Sequence, residues 1–265
     1  MEQMQILLAI LVLLPFVSAL LLALCGSDRM RRLIVYGSAG VLMISAVAFA
    51  VCFFSGENLQ LRFLQSGGII DHTMLALEAG FAVLITVLGI KYRRYYVAVL
   101  SIVQTVLTFV YELGGYKPAV QPYNLFTDQL TVIMVLIIAV VGTLITVYAV
   151  GYMRDYHNHH KEYADRRRIF LCHAVCILRC HVWSGTVQQS VMALHFFWEI
   201  TSLVSFLLIG YTRTKEAVQN SFRALWMNLL GGLGFAAAIF WAGGALWVTD
   251  LQSLILCDAN WWWRR

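Results

Sequence analysis

The sequence predicts an all-α, polytopic transmembrane helix bundle of about eight spans, and three observations predict it. Sixty per cent of the 265 residues are apolar, 12% are charged, and the mean hydropathy is +0.75. A water-soluble domain of this length cannot hide that much apolar surface. Apolar runs of about 20 residues, enough to cross roughly 30 Å of hydrocarbon as helix, recur at about 4–25, 33–54, 70–90, 95–113, 128–151, 192–211 and 219–248. The net charge is +5, but its Lys and Arg sit in short connections between the runs. That placement reports membrane topology and excludes nucleic acid as the partner.

The elements follow in order. The run at 4–25 lacks a basic leader and a small-residue cleavage site, so it reads as a retained span. Arg29, Arg31 and Arg32 follow it, Lys91, Arg93 and Arg94 follow the third run, and Arg154, Lys161 and Arg166 to Arg168 follow the fifth. Arg213 and Lys215 come after 192–211, whereas the connections at 55–69 and 114–127 carry only Arg62 and Lys117. Thirteen basic residues against two put the first set in the cytoplasm and the N-terminus outside. Thr127 and Asp128 form a helix start before QLTVIMV. For 152–168 and 212–218 to share a side, 169–191 must also cross the membrane.

That segment does not look apolar enough. Residues 170–192 read FLCHAVCILRCHVWSGTVQQSVM, with His173, Arg179, His181, Gln188 and Gln189 at hydrocarbon depth. On a helix Cys172, Cys176 and Cys180 form one stripe near His173 and His181, the pattern of a membrane redox or metal protein. Thiolate sites more usually use C-x2-C pairs on turns, and no metal ligand set is assigned. A second account is a displaced reading frame: after Phe170, shifting by one nucleotide is compatible with FAMLFAFFGAMFGLVLSNNLLWLF, a clean apolar span. The tail CDANWWWRR is either an interfacial tryptophan anchor or an aberrant end. With Cys25, Cys52 and Cys257, the cysteines read as thiols packed like small hydrophobes.

In ALHFFWEITSLVSFLLIGY, residues 193–211, the one carboxylate is Glu199, flanked by Phe196, Phe197, Trp198 and Ile200. Intramembrane carboxylates are rare and mark ion or proton pathways; the alternative is a glutamate that snorkels or makes a helix–helix bond. A movable cation beside such a group could switch it between holding and releasing a proton. Arg223, four or five residues into the next span, either pairs with Glu199 across the short 212–218 connection or snorkels. Glu78 sits within the third run as a lateral relay, or lies near headgroups with Asp71 and His72. Thr201, Ser202 and Ser205 bond the preceding turn. Gly231, Gly232 and Gly234 permit close helix contact. His157, His159 and His160 lie in a charged, solvated loop.

Three stretches carry a family resemblance: 124–170, beginning NLFTDQLTVIMV; 196–240, beginning FFWEITSLVSFLLIGY; and the displaced string with its LSNN. They resemble the N-terminal part of the antiporter-like membrane subunits shared by complex I (its L-type subunit), Mrp cation/proton antiporters and Ech-type energy-converting hydrogenases (in both, the large A-type subunit). The resemblance implies a membrane-arm subunit that translocates protons or another cation for an oxidoreductase complex, itself non-catalytic and without cofactor. It implies other membrane-arm subunits as partners and the inner (cytoplasmic) membrane as location. It makes Glu199 the proton relay working with a lysine on a later helix; the corresponding near position here is Arg223, which keeps the charge but does not readily give up a proton. The expected organisation is N-terminal helices at 1–123, an incomplete proton-translocation domain at 124–248 and an aberrant or truncated tail at 249–265. A non-conducting fragment is the alternative.

Overall fold

The computed structural model describes residues 2–56, 60–61, 69–114, 125–186 and 191–242. Arg62, Lys117, Gln188, Gln189, Cys257 and the 249–265 tail lie outside these residues, as do the side chains of Asp71, Arg179, Cys180 and His181. The described chain is helical: α1 (Glu2–Leu24), α2 (Asp28–Phe54), α3 (Ile69–Lys91), α4 (Tyr95–Leu113), α5 (Gln129–Ile137), α6 (Thr143–His159), α7 (Arg167–Thr186), α8 (Val191–Ile209) and α9 (Lys215–Trp241). Two two-residue strands, Gln60–Leu61 and Leu125–Phe126, are the extended pieces among the described residues. The all-α fold is the expected one, because in hydrocarbon each backbone polar group must find its partner within its own segment.

Five helical rods among the described residues are long and apolar enough to cross a membrane: 3–24, 28–54, 72–91, 129–159 and 215–241. Two shorter apolar helices cover 95–111 and 194–209. Their outward faces carry large apolar side chains such as Leu13, Phe16, Leu20, Ile44, Val83 and Ile145, as lipid requires.

The rod at 129–159 joins α5 to α6 through a π-helical stretch, Ile138–Gly142. Here Thr143 donates its hydroxyl to the carbonyls of Ala139 and Val140, and Thr146 donates to Gly142 O at 2.7 Å. Hydroxyls thus occupy the loosened ladder where one residue too many has been accommodated. At the start of the rod Asp128 caps α5 as expected, its Oδ1 accepting from the Thr131 N–H and hydroxyl at 2.7 Å each.

The chain forms two compact units. The first comprises residues 1–59, 126–186 and 204–221; the second comprises 60–125, 187–203 and 222–265. The core of the first unit gathers Ala19 and Leu22 of α1, Val35 of α2, Ala149 and Val150 of α6, and Leu171 and Val175 of α7. So α7, polar though its sequence is, folds as a helix and buries its N-terminal apolar positions. Polar groups close one end of this unit. Arg31 pairs with Asp28 at 3.1 Å and donates to Gly26 O, Arg167 reaches Asp28 at 3.5 Å, and Arg166 N–H donates to the Tyr211 hydroxyl. The basic connections at 26–32, 160–168 and 210–214 therefore share one end of the unit, as the charge pattern predicted.

In the second unit α3 and α4 lie side by side. A Cβ on Gly89 would stand 3.3 Å from the Ala98 Cβ and the Arg94 carbonyl, so the bare glycine lets the hairpin close with no neighbour displaced. The preceding turn places Arg93 at φ 56°, and Arg94 N–H returns to Gly89 O at 2.7 Å. Phe196 of α8 stacks on Phe81 of α3, with ring centroids 6.2 Å apart.

Candidate functional site

The stacked Phe81 and Phe196 mark where α3 and α8 bring polar groups together inside the second unit. His195 and Glu199 stand four residues apart on α8 and so share a face. Opposite them are Glu78 from α3 and Gln104 from α4. Three of the four are almost inaccessible: His195 is 0% exposed, Gln104 1% and Glu78 2%. Such burial of polar groups in an apolar bundle demands hydrogen bonds.

Gln104 supplies those of Glu199 Oε1 and His195 Nε2, whereas His195 Nδ1 and the amide oxygen of Gln104 have no hydrogen-bond partner among the described residues. Gln104 Nε2 donates to Glu199 Oε1 at 2.5 Å and lies 3.1 Å from His195 Nε2. An amide nitrogen has only donors, so in this arrangement the His195 Nε2 lone pair accepts and the ring proton sits on Nδ1. That Nδ1 faces Glu78 Oε1 at 3.9 Å. The four side chains form one sequence, Glu199, Gln104, His195, Glu78, alternating acid, amide, imidazole and acid.

Two features of α9 complete the surroundings. Phe235 sets its ring against His195, centroids 5.7 Å apart. Gly232 makes the seat for Gln104: a Cβ there would lie 2.8 Å from Nε2 and 3.0 Å from Oε1.

One ligand atom from each of Glu78, His195 and Glu199 lies within 4.8 Å of the others, the one such group of three or more metal-capable residues among the described residues. The spacing could admit a single ion. The Gln104 amide directs its donors at Glu199 Oε1 and His195 Nε2, whereas His195 Nδ1, on the side of Glu78, has no hydrogen-bond partner among the described residues.

Of the residues singled out by sequence, Glu199 and Glu78 are brought into one cluster. Arg223 lies on the exposed face of α9, and among the described residues no ion pair or hydrogen bond connects it to Glu199. The histidines near 157–160 do not converge. His157 bonds the Tyr211 hydroxyl at 2.6 Å, His159 the Asp155 carbonyl, and His160 the Glu162 carboxylate. Cys172 and Cys176 are half-buried on α7 and, like Cys25 and Cys52, form no disulfide among the described residues. Cys180, the third member of the stripe, has its side chain outside them. Thr201 and Ser202 donate to Trp198 O, as their positions predict.

Sequence reasoning misses Gln104 and His195. His195 carries a detectable signal, being one helical turn before Glu199 in the same apolar run. Gln104 is a lone amide in SIVQTVLTF, and nothing in that run ties it to α8.

Residues 121–163 match the family described as NADH-ubiquinone oxidoreductase (complex I), chain 5 N-terminus, and residues 188–263 match NADH:quinone oxidoreductase/Mrp antiporter, TM. Among curated relatives, the A1 subunit of the Na(+)/H(+) antiporter of Staphylococcus haemolyticus is 25% identical over 140 residues, 52% of this chain and 16% of that protein. The Staphylococcus aureus (strain JH9) protein of the same name is 23% identical over 185 residues, 63% of this chain and 22% of that protein. The matched region thus spans about a fifth of the length of these relatives. The site residues His195, Glu199 and Gly232 all fall in the second matched stretch, and the two stretches of this multi-pass membrane protein, 121–163 and 188–263, are similar to the antiporter-like membrane subunits of the complex I and Mrp type.

Proposed function

We propose that this chain supplies the glutamate-bearing proton relay of a membrane-arm subunit that translocates protons, or another cation, for an oxidoreductase or antiporter complex. Energy-converting hydrogenases and NADH-quinone oxidoreductases are the candidate complexes. Its partners are other membrane-arm subunits, and its place is the cytoplasmic membrane. The observation that carries this reading is the buried sequence Glu199, Gln104, His195, Glu78 in a helix bundle.

The chemistry follows from the groups. A carboxyl group and an imidazole can each hold or release one proton, and both are poised for transfer only when held at hydrogen-bond range with water excluded. Glu199, His195 and Glu78 are the groups that hold protons, Gln104 bridges the first two by hydrogen bonds, and transfer between His195 Nδ1 and Glu78 requires their 3.9 Å separation to close to hydrogen-bond range. The relay runs laterally, from α8 to α3, rather than along one helix. No resident metal or cofactor enters this scheme.

The test is proton uptake by the intact complex in vesicles, with Glu or Gln at 199. Glutamine keeps the size and hydrogen-bonding capacity but cannot exchange a proton at physiological pH. Glu199→Gln is expected to assemble and to lose proton translocation about tenfold or more, within the range general acid–base groups contribute. Undiminished uptake would remove Glu199 from the pathway.

A further inference from the structure

We propose that Glu78, His195 and Glu199 form an inhibitory site for a divalent transition-metal cation of the zinc class, which blocks the relay by occupying the groups that hold its protons. The inhibitory role rests on the proton-relay reading given above; the binding itself does not.

The donor set selects the ion. An imidazole nitrogen with carboxylate oxygens suits Zn2+, whereas hard cations such as Mg2+ and Ca2+ take oxygen ligands throughout. Charge agrees with this choice. Two carboxylates and a neutral imidazole carry two negative charges, so a divalent ion leaves the site neutral in surroundings where uncompensated charge is costly.

The spacing fits as well. His195 is 0% exposed, and its Nδ1 has no hydrogen-bond partner among the described residues and faces Glu78 Oε1 at 3.9 Å. That separation is too long for a hydrogen bond. An ion fits between the two atoms, because Zn2+ stands about 2.0–2.1 Å from a histidine nitrogen and about 2.0–2.2 Å from a carboxylate oxygen. The third ligand atom, from Glu199, completes a set lying within 4.8 Å of one another. Ligands of a tetrahedral ion at these lengths stand about 3.4 Å apart, so Nδ1 and Glu78 close by about half an ångström and Glu199 by about 1.5 Å at most. Rotation about the glutamate side-chain bonds supplies such movements. Glu199 is half-buried and the least enclosed of the three, which makes it the side from which an ion enters.

Binding rearranges protons. The ion needs the Nδ1 lone pair, so the ring keeps one proton, now on Nε2, and any proton held by the two carboxyls is released. A metal-bound histidine holds its orientation by donating its other N–H to an oxygen. Here Gln104 Oε1 is buried without a hydrogen-bond partner among the described residues, and a half-turn of the amide offers it to Nε2–H. Glu199 exchanges the amide donor for the ion. The remaining groups that face the site, Gln104 from α4 and Gly232 and Phe235 from α9, do not titrate.

The experiment uses the intact complex in vesicles and Zn2+ as the probe. In the parent, Zn2+ is expected to inhibit proton uptake, with the half-inhibitory concentration rising about tenfold for each unit that pH falls, the linkage of one released proton. Radioactive zinc bound by assembled complexes is measured beside it. Glu78→Gln, His195→Gln and Glu199→Gln are each expected to bind one zinc fewer than the parent, whereas His159→Gln, in the exposed connection after α6, keeps the parent's count. Three ligand variants leave a result wherever one fails to assemble. Parent counts in every assembled ligand variant would overturn the site, and uptake indifferent to Zn2+ would overturn the inhibition. If Glu199→Gln loses the zinc yet pumps undiminished, the site stands and the relay falls. If it stops pumping but keeps the zinc, the relay stands and the site falls.

Discussion

Gly232 offers the sharpest test at the scale of single residues. A methyl group there enters the space of the Gln104 amide at 2.8 Å, whereas one on Gly234 meets nothing within 4 Å. In helix interiors Gly→Ala favours the helix by up to about 1 kcal/mol. Gly232→Ala is therefore expected to leave thermal stability unchanged or raised in detergent, yet to reduce proton uptake severalfold. Gly234→Ala is expected to keep full uptake. Equal activity for the two would show that the amide does not need its seat. This residue was legible as a packing glycine but not as a functional one. Glu199 and Glu78 stand out in the sequence because a carboxylate in an apolar run is costly enough to require a reason. Gln104 and His195 are neutral, and their cost is smaller and less conspicuous. Only the approach of α4 to α8 shows that the glutamine amide serves both members of an i, i+4 pair.

At the scale of elements, the connection between α6 and α7 is held by a compact ion pair. Arg167 donates from Nε to Asp165 Oδ1 at 3.0 Å and from Nη2 to Oδ2 at 2.7 Å, while Tyr211 ties His157 and Arg166 across the same connection. The Arg167 guanidinium holds the Asp165 carboxyl well below the usual carboxylate range, at about 2. The folded form is thus the stronger acid. Its contribution to stability is present above about pH 4 and is lost as pH falls toward 2. Because the Asp165 side chain is 48% exposed, solvent screening keeps that contribution below about 1 kcal/mol. Asp165→Asn should lower the unfolding temperature slightly near neutral pH, and the difference from the parent should shrink between pH 4 and pH 2. A difference constant across that interval would assign the effect to something other than the ion pair. The cap at Asp128 and the helical rods were legible because each depends on local sequence. The α7 helix was harder to read. Its apolar contacts at Leu171 and Val175 recur at one face, but His173 and the cysteines between them mask the period.

For the whole molecule, the charge pattern gives an orientation that helices alone do not. The basic connections gathered at one end of the first unit are expected to face the cytoplasm, with the N-terminus outside. His160→Cys, in the exposed part of the α6–α7 connection, should be labelled by an impermeant thiol reagent only from the cytoplasmic side of oriented vesicles. Labelling only from the outside would invert the topology. The helical membrane bundle was legible from run length, but about eight spans were expected and five rods among the described residues are long and apolar enough, and the interleaving of the two units along the chain was not legible. That interleaving also sets an order in time. Gly232 follows Glu78 by about 150 residues, and at a synthesis rate of 5–20 residues per second the ribosome needs roughly 8–30 s to reach it. During that interval α3 and α4 have entered the membrane with Glu78 and Gln104, while the histidine, the second acid and the glycine seat are still unmade. The carboxylate on which the finished relay ends is thus the one that waits longest in hydrocarbon for its neighbours, and the early steps of insertion carry the cost of a site completed only when α8 and α9 arrive.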